Sequence, residues 1–325
     1  MRVFDNTLYI VGDSDGLPGL KRALALTNTE TGSISLVSII ESIIHPIGSS
    51  KFYTELKEAF EALRHERLAM LEKLANSVPK GISVTYEVMD GRSYVEAIKR
   101  VLLYKHDLVV ANAADSDHKG NRLFVSEEMQ LLRKCPCPVL LLKSSQAGPF
   151  KRVLATLDFE YYDTPDTEQS EPTLNDEILE VSATIASEAK GKLDIINVYE
   201  IPGEGAMTAG WIPMNINSFS DYANSCAKTS KDKVDMQVKR SKHRLGTTVF
   251  DQSTVETHIV HGRARSTIPE VAETLKTDLI VMGTVGRAGT SGFLLGNTAE
   301  TILNHIDCSV LALKPPGFET PISLD

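Results

Sequence analysis

Apolar residues recur along this chain with two different periods, and the two periods take turns. Leu8–Val11, Ile34–Ile40, Leu108–Val110 and Val139–Leu142 are short apolar runs that read as buried strands, and Ser83–Met89 alternates as a half-exposed strand does. Between them, Pro18–Thr27, Phe52–Val78, Tyr94–Tyr104 and Ser126–Lys134 carry apolar positions three and four residues apart, the period of an amphipathic helix. The small, turn-forming stretch Ser144–Pro149 reads as a linker, and after it the pattern restarts. Val153–Leu157 is a strand, Thr173–Lys190 a helix stopped by Gly191, and Leu193–Val198 a strand. Ser218–Leu245 follows as a long helix, then a strand at Val255–Val260 and a turn at His261-Gly262-Arg263. Leu279–Met282 is a strand, Asn297–Ile306 a helix and Val310–Leu313 a last strand. Strands alternating with helices predict βαβ units and a mainly parallel sheet covered on both faces. Ile201–Asn217, which holds the single Trp211, fits neither period; it reads as a flap over the edge of the sheet.

The restart is a repeat of residues as well as of pattern. At a constant offset of 171, Gly91-Arg92 falls on Gly262-Arg263, Asp107-Leu108 on Asp278-Leu279, and Cys137 on Cys308. Leu142-Lys143 falls on Leu313-Lys314, and the window needs no gap. The expectation is two α/β domains, 1–147 and 148–325, each of ordinary size and each with a five-stranded sheet. Two such copies are expected to pack about an approximate two-fold axis as an intrachain pseudo-dimer, leaving the chain a monomer or weak dimer.

Composition narrows the classes. The chain has 325 residues, 42% hydrophobic and 24% charged, with no apolar run long enough to span a bilayer. Its first residues lack the apolar stretch of a secretory signal, and four cysteines are too few for a disulfide framework at this length. A cytoplasmic protein without a membrane partner is the expectation. A net charge of −9 argues against direct, broad nucleic-acid binding. Cys135-Pro136-Cys137 has no second Cys or His pair at zinc-ligand spacing, so these thiols read as small buried hydrophobes.

Candidate chemistry concentrates between Asp278 and Lys314. A strand ends at Gly283, a glycine-containing turn with Gly286 and Arg287 follows, and Gly296 precedes the helix that begins Asn297-Thr298. A glycine-rich turn between a strand's carboxyl end and a helix's amino end is where parallel α/β folds hold phosphates. Taken alone, Gly283 and Gly286 could equally serve a tight turn; the full spacing favours an anion site. Asp13 and Asp158, each after a first strand, suit strand ends and helix caps as well as ligand contact. His261, Arg263 and Arg265 read either as solvated charges or as phosphate contacts. The sequence contains no Walker lysine and no His-Glu-x-x-His helix, and no catalytic residues are assigned.

The spacing Gly283-x2-Gly286-x9-Gly296, followed by a small polar residue, resembles the nucleotide-binding motif of the universal stress protein family. The duplication, Leu132-Arg133-Lys134-Cys135-Pro136, Met282–Arg287 and Leu295–Glu300 resemble its tandem-domain type. The resemblance implies two flavodoxin-like (adenine nucleotide α-hydrolase-like) domains and a stress-response regulator rather than an enzyme. It implies an ATP or related adenine-nucleotide site, with Mg2+, in the second half. There Asp158 and the backbone at Val198 would meet the adenosine, and Gly283, Gly286, Arg287, Gly296, Asn297 and Thr298 the ribose and phosphates. Asn297 departs from the Ser or Thr usual at that position. At the same offset the first half has Asn112, Asp115 and Val125 in place of the three glycines. A carboxylate repels a polyanion, and a β-branched residue resists φ > 0. The first half is therefore not expected to hold a nucleoside triphosphate in the family manner. Two other readings stand beside this one: an interaction or chaperone-like module taking a partner or an apolar ligand, and an adenylylating enzyme of the wider fold. The second of these lacks its Ser-Gly-Gly-x-Asp-Ser loop.

Overall fold

A computed structural model of the chain describes residues 4–12, 16–41, 51–113, 126–143, 148–159, 173–212, 215–284 and 296–324. The first half runs β1 (Asn6–Ile10), α1 (Leu17–Leu26), β2 (Ser33–Ile40), α2 (Lys51–Ala75), β3 (Ser83–Asp90), α3 (Ser93–Tyr104), β4 (Leu108–Asn112), α4 (Ser126–Lys134) and β5 (Val139–Leu142). The second runs β6 (Arg152–Leu157), α5 (Leu174–Glu188), β7 (Lys192–Tyr199), α6 (Glu204–Thr208), α7 (Ile216–Leu245), α8 (Thr247–Asp251) and β8 (Thr254–His261). It ends with α9 (Ala264–Thr274), β9 (Leu279–Gly283), α10 (Asn297–His305) and β10 (Ser309–Leu313).

The chain forms two compact units. One comprises Met1–Pro149, Thr284–Leu295 and Cys308–Asp325; the other comprises Phe150–Gly283 and Gly296–Asp307. In the first unit the strand order is β3-β2-β1-β4-β5-β10. Its first five strands are parallel, and β10 runs antiparallel to β5 with Val310 opposite Leu141. In the second unit the order is β9-β6-β7-β8, all parallel. The α/β class and the mostly parallel sheet agree with the sequence reading. The described strands divide six and four, however, and not five and five. All five residues of β10 are buried, and its ladder partners are on β5, so the last strand of the second repeat completes the first unit.

Burial follows position in the sheet. β5, β6 and β9 are apolar almost throughout, and Leu8, Val109, Leu140, Leu154, Ile195 and Ile280 are fully buried. In β3 and β8 the burial pattern is mostly exposed or intermediate, as suits strands at an edge. None of the helices among the described residues is long and apolar enough to cross a membrane. The four cysteines are buried, and none is in a disulfide.

Strand register turns the repeat into geometry. Tyr9 pairs with Val110 as Ala155 pairs with Val281, and Ile40 pairs with Asp90 as Tyr199 pairs with His261. Gly91 and Gly262 both have positive φ, +140° and +150°, at the turn from third strand to third helix. A side chain there would be strained, and its Cβ would come within 2.7 Å of Glu96 or 2.8 Å of Thr267. Lys105 and Lys276 end the two following helices in the left-handed region.

Candidate functional site

The second unit opens a cavity of about 950 Å3 at the carboxyl ends of β6, β7 and β8. Ligands of parallel α/β proteins bind at that end of the sheet. Asp158 reaches the cavity from the end of β6, and Asn197, Val198 and Tyr199 from the end of β7. His261, Gly262 and Arg263 come from the β8–α9 turn, and Cys226, Thr229, Ser230 and Lys233 from α7.

Each wall has an identifiable support. The Asp158 backbone is held by the first turn of α5: Asp158 N donates to Asn175 Oδ1 at 3.2 Å, and Asn175 Nδ2 donates to Asp158 O at 2.7 Å. That turn is fixed by a reciprocal cap in which Asp176 N donates to Thr173 Oγ1 at 3.3 Å and Thr173 N to Asp176 Oδ2 at 2.7 Å. The Asp176 carboxylate is fully buried; it also accepts from Gln237 Nε2 at 2.6 Å and pairs with Arg240 Nε at 3.2 Å, which ties α5 to α7. Asn197, 4% exposed, donates to Leu157 O at 2.9 Å and accepts from the Ser230 hydroxyl. The mouth carries α6, a short helix started at Gly203, whose Glu204 meets His261 Nε2 at 3.0 Å. Burial raises the Tyr199 hydroxyl's pKa above the ordinary tyrosine value, with Cys226 and Glu204 adding to the effect.

The cavity thus brings together Asp158 and Val198, two of the residues the sequence singled out. Gly283, Gly296, Asn297 and Thr298 do not line it. Gly286 and Arg287 lie outside the described residues, as does Asp13. Gly283 ends β9 without a positive φ; what it supplies is space, because a Cβ there would come 2.7 Å from Leu174 Cδ2 on α5. Gly296 precedes α10 with φ −60° and ψ 138° and gives no side-chain cap, and Asn297 and Thr298 stand exposed in the first turn. An uncapped first turn leaves backbone N–H groups available to an anion.

Register also corrects the match between the two halves. Because Thr7 pairs with Leu108 as Val153 pairs with Leu279, the residue level with Asp158 is Gly12, and Asp13 stands one position beyond. Where the second repeat has Ala155, the first has Tyr9, fully buried. Its hydroxyl donates to Gly16 O at 3.1 Å and accepts from Asn112 Nδ2 at 3.2 Å. Asn112 stands in the place of Gly283, so the first repeat spends that position on a tyrosine contact.

Sequence reasoning missed Asn197, Ser230 and the Asp176 anchor. Thr173-x-x-Asp176 is a legible capping signature. Asn197 and Ser230 meet only because β7 and α7 pack, and no local pattern marks them.

The comparisons agree with the fold and its duplication. The profile of the universal stress protein family matches residues 4–143 and again 171–314. A protein named universal stress protein E from Escherichia coli strain K12 is 25% identical over 100% of this chain and 98% of its own length. Another of that name from Photorhabdus laumondii is 26% identical over 99% and 98%. A universal stress protein from Archaeoglobus fulgidus, solved as a crystal structure, superposes with a TM-score of 0.58 at 20% identity, covering 95% of this chain and 98% of that one. With the family model matched once in each repeat and over most of the chain, the chain belongs to the universal stress protein family, as a tandem of two of its domains.

Proposed function

We propose that this chain is a cytoplasmic stress-response regulator that binds one adenine nucleotide, ATP with Mg2+ or a close relative, in its second repeat and does not turn it over efficiently. The observation that carries the reading is the cavity at the ends of β6 and β7, where Asp158 and Val198 converge from 40 residues apart. In this reading Asp158 and the Val198 backbone hold the nucleoside. Gly283, Gly286, Arg287, Gly296, Asn297 and Thr298 take the ribose and phosphates, and the uncapped start of α10 suits that charge. No base is assigned for activating water; His261, at the cavity wall, is paired with Glu204.

Calorimetric titration of ATP and ADP into the purified protein, with and without Mg2+, tests the proposal. Saturable binding lost in Gly286→Asp supports it, since a carboxylate in the turn would face the phosphates. No heat, together with no co-purified nucleotide, rejects it in favour of an interaction module. That alternative has its own observation in the flap, where Trp211 is 83% and Ile212 43% exposed. Steady ATP turnover sensitive to Gly283→Ala would reject the non-catalytic part alone.

A further inference from the structure

Four ionisable side chains lie on one face of the β7–β8 pair: Lys192 and Asp194 on β7, Glu256 and His258 on β8. Alternation along each strand puts residues two apart on the same face, and the parallel register sets Asp194 beside Glu256 and Ile196 beside His258. Asp194 is the buried member, its side chain 3% exposed, and it accepts from His258 Nε2 at 2.7 Å. Lys192 Nζ lies 3.0 Å from Asp194 Oδ1 and 2.7 Å from Glu256 Oε2. One donor atom each from Asp194, Glu256 and His258 fall within 4.8 Å of one another.

The first repeat shows that the fold does not need these charges. Ser35 stands in the place of Asp194 and Thr85 in the place of Glu256, joined by a hydroxyl–hydroxyl contact of 3.0 Å. Ser33 replaces Lys192, and Glu87, paired instead with Arg100 of α3, replaces His258. A neutral pair suffices there, so the second repeat has gathered an imidazole and two carboxylates around one point for another reason. Burying a carboxylate such as Asp194 is costly unless a cation accompanies it.

We propose that Asp194, Glu256 and His258 form a binding site for a divalent transition-metal ion of the zinc class, and that Lys192 is the tethered cation that fills it when the ion is absent. One imidazole and two carboxylates are a zinc-type donor set that leaves a coordination position open to water. Lys192 is one-third exposed and Glu256 more than half, so the ammonium can swing out to solvent and the Glu256 carboxylate can close on the ion. The site is separate from the nucleotide cavity, and no residue is shared between them.

The test is calorimetric titration of ZnCl2 into the chelator-treated full-length protein, with the thermal midpoint read in parallel. Wild type is expected to bind saturably and melt higher with Zn2+. Glu256→Gln, a change at an exposed position, and His258→Gln are each expected to weaken binding by about tenfold or more. The discriminating variant is Lys192→Met: removing the competing ammonium should tighten Zn2+ binding while lowering the thermal midpoint of the metal-free protein. A simple salt-bridge cluster predicts the same loss of metal-free stability with no gain in affinity, and that result overturns the proposal. An isotherm unchanged in both His258→Gln and Glu256→Gln overturns it as well, by placing the zinc on other histidines or cysteines.

Discussion

Lys314 is a buried lysine held by neutral oxygens. It is 6% exposed and donates to Thr284 Oγ1 at 2.9 Å and to the Leu132 carbonyl, with the Phe318 ring 4.7 Å away. Burial lowers its pKa to about 8, and the nearby Cys135 and Cys137 only partly oppose the shift. Between that value and the ordinary 10.5 the unfolded chain keeps a proton that the folded chain has lost, so this group makes stability rise with pH across that window. Below about 8 both states are protonated and the burial cost is fully present. Cys137 contributes the opposite slope. A hydrogen bond with Cys135, followed by burial, raises its pKa, so the folded thiol keeps a proton that the unfolded one sheds. The variant Lys314→Met separates the two. Its urea-derived stability, subtracted from that of wild type, should leave a difference that grows in favour of wild type by about 3 kcal/mol from pH 7 to pH 10.5. A flat difference would show that the ammonium is not desolvated.

At the scale of elements, the repeated Asp-Leu pair is a device for starting a central strand. Asp107 accepts from Asp5 N at 2.8 Å and Asn6 N at 2.9 Å, at the entrance to β1. Asp278 accepts from Lys151 N at 2.8 Å and Arg152 N at 3.0 Å, at the entrance to β6. Each carboxylate spends both oxygens on consecutive amides, in charge-assisted bonds stronger than neutral ones. Asp278→Ala should cost about 2 kcal/mol in chemical denaturation, and Asp278→Asn, which keeps one acceptor, about half of that. Equal costs for the two variants would mean that only one bond matters. The offset in the sequence showed that this pair belongs to the fold, and the register shows what it does there. Other elements were not legible, for physical reasons. α6 is five residues between Gly203 and Gly210, too short for a periodic signal, and α9 carries Pro269 inside it. β10 reads as the end of the second repeat, and its ladder to β5 is a pairing of distant segments that no local pattern encodes.

At the scale of the whole molecule, one domain type has been used twice and specialised twice. The glycine spacing and the acidic residue after the first strand were visible in the sequence of the second repeat. In the proposed reading, what would keep a nucleotide from the first repeat is only half visible: Asp115 and Val125 read as hostile to phosphate, but Tyr9 does not. Its ring looks like one more apolar residue in a strand, and only the fold shows its hydroxyl held between Gly16 O and Asn112 Nδ2. The two causes predict different outcomes on repair. If the proposed nucleotide site is correct, wild type binds one ATP per chain. Restoring the spacing in the first repeat with Asn112→Gly, Asp115→Gly and Val125→Gly should leave the stoichiometry at one if the phenol of Tyr9, level with Ala155 in the second repeat, obstructs the site. Adding Tyr9→Ala removes that obstruction. It also removes a large buried side chain, at a cost of about 3–5 kcal/mol, so the quadruple variant must first be shown to fold by its thermal transition. A second ATP bound by that folded variant, and not by the triple one, identifies Tyr9 as the block. A second ATP bound already by the triple variant assigns the block to the missing glycines alone.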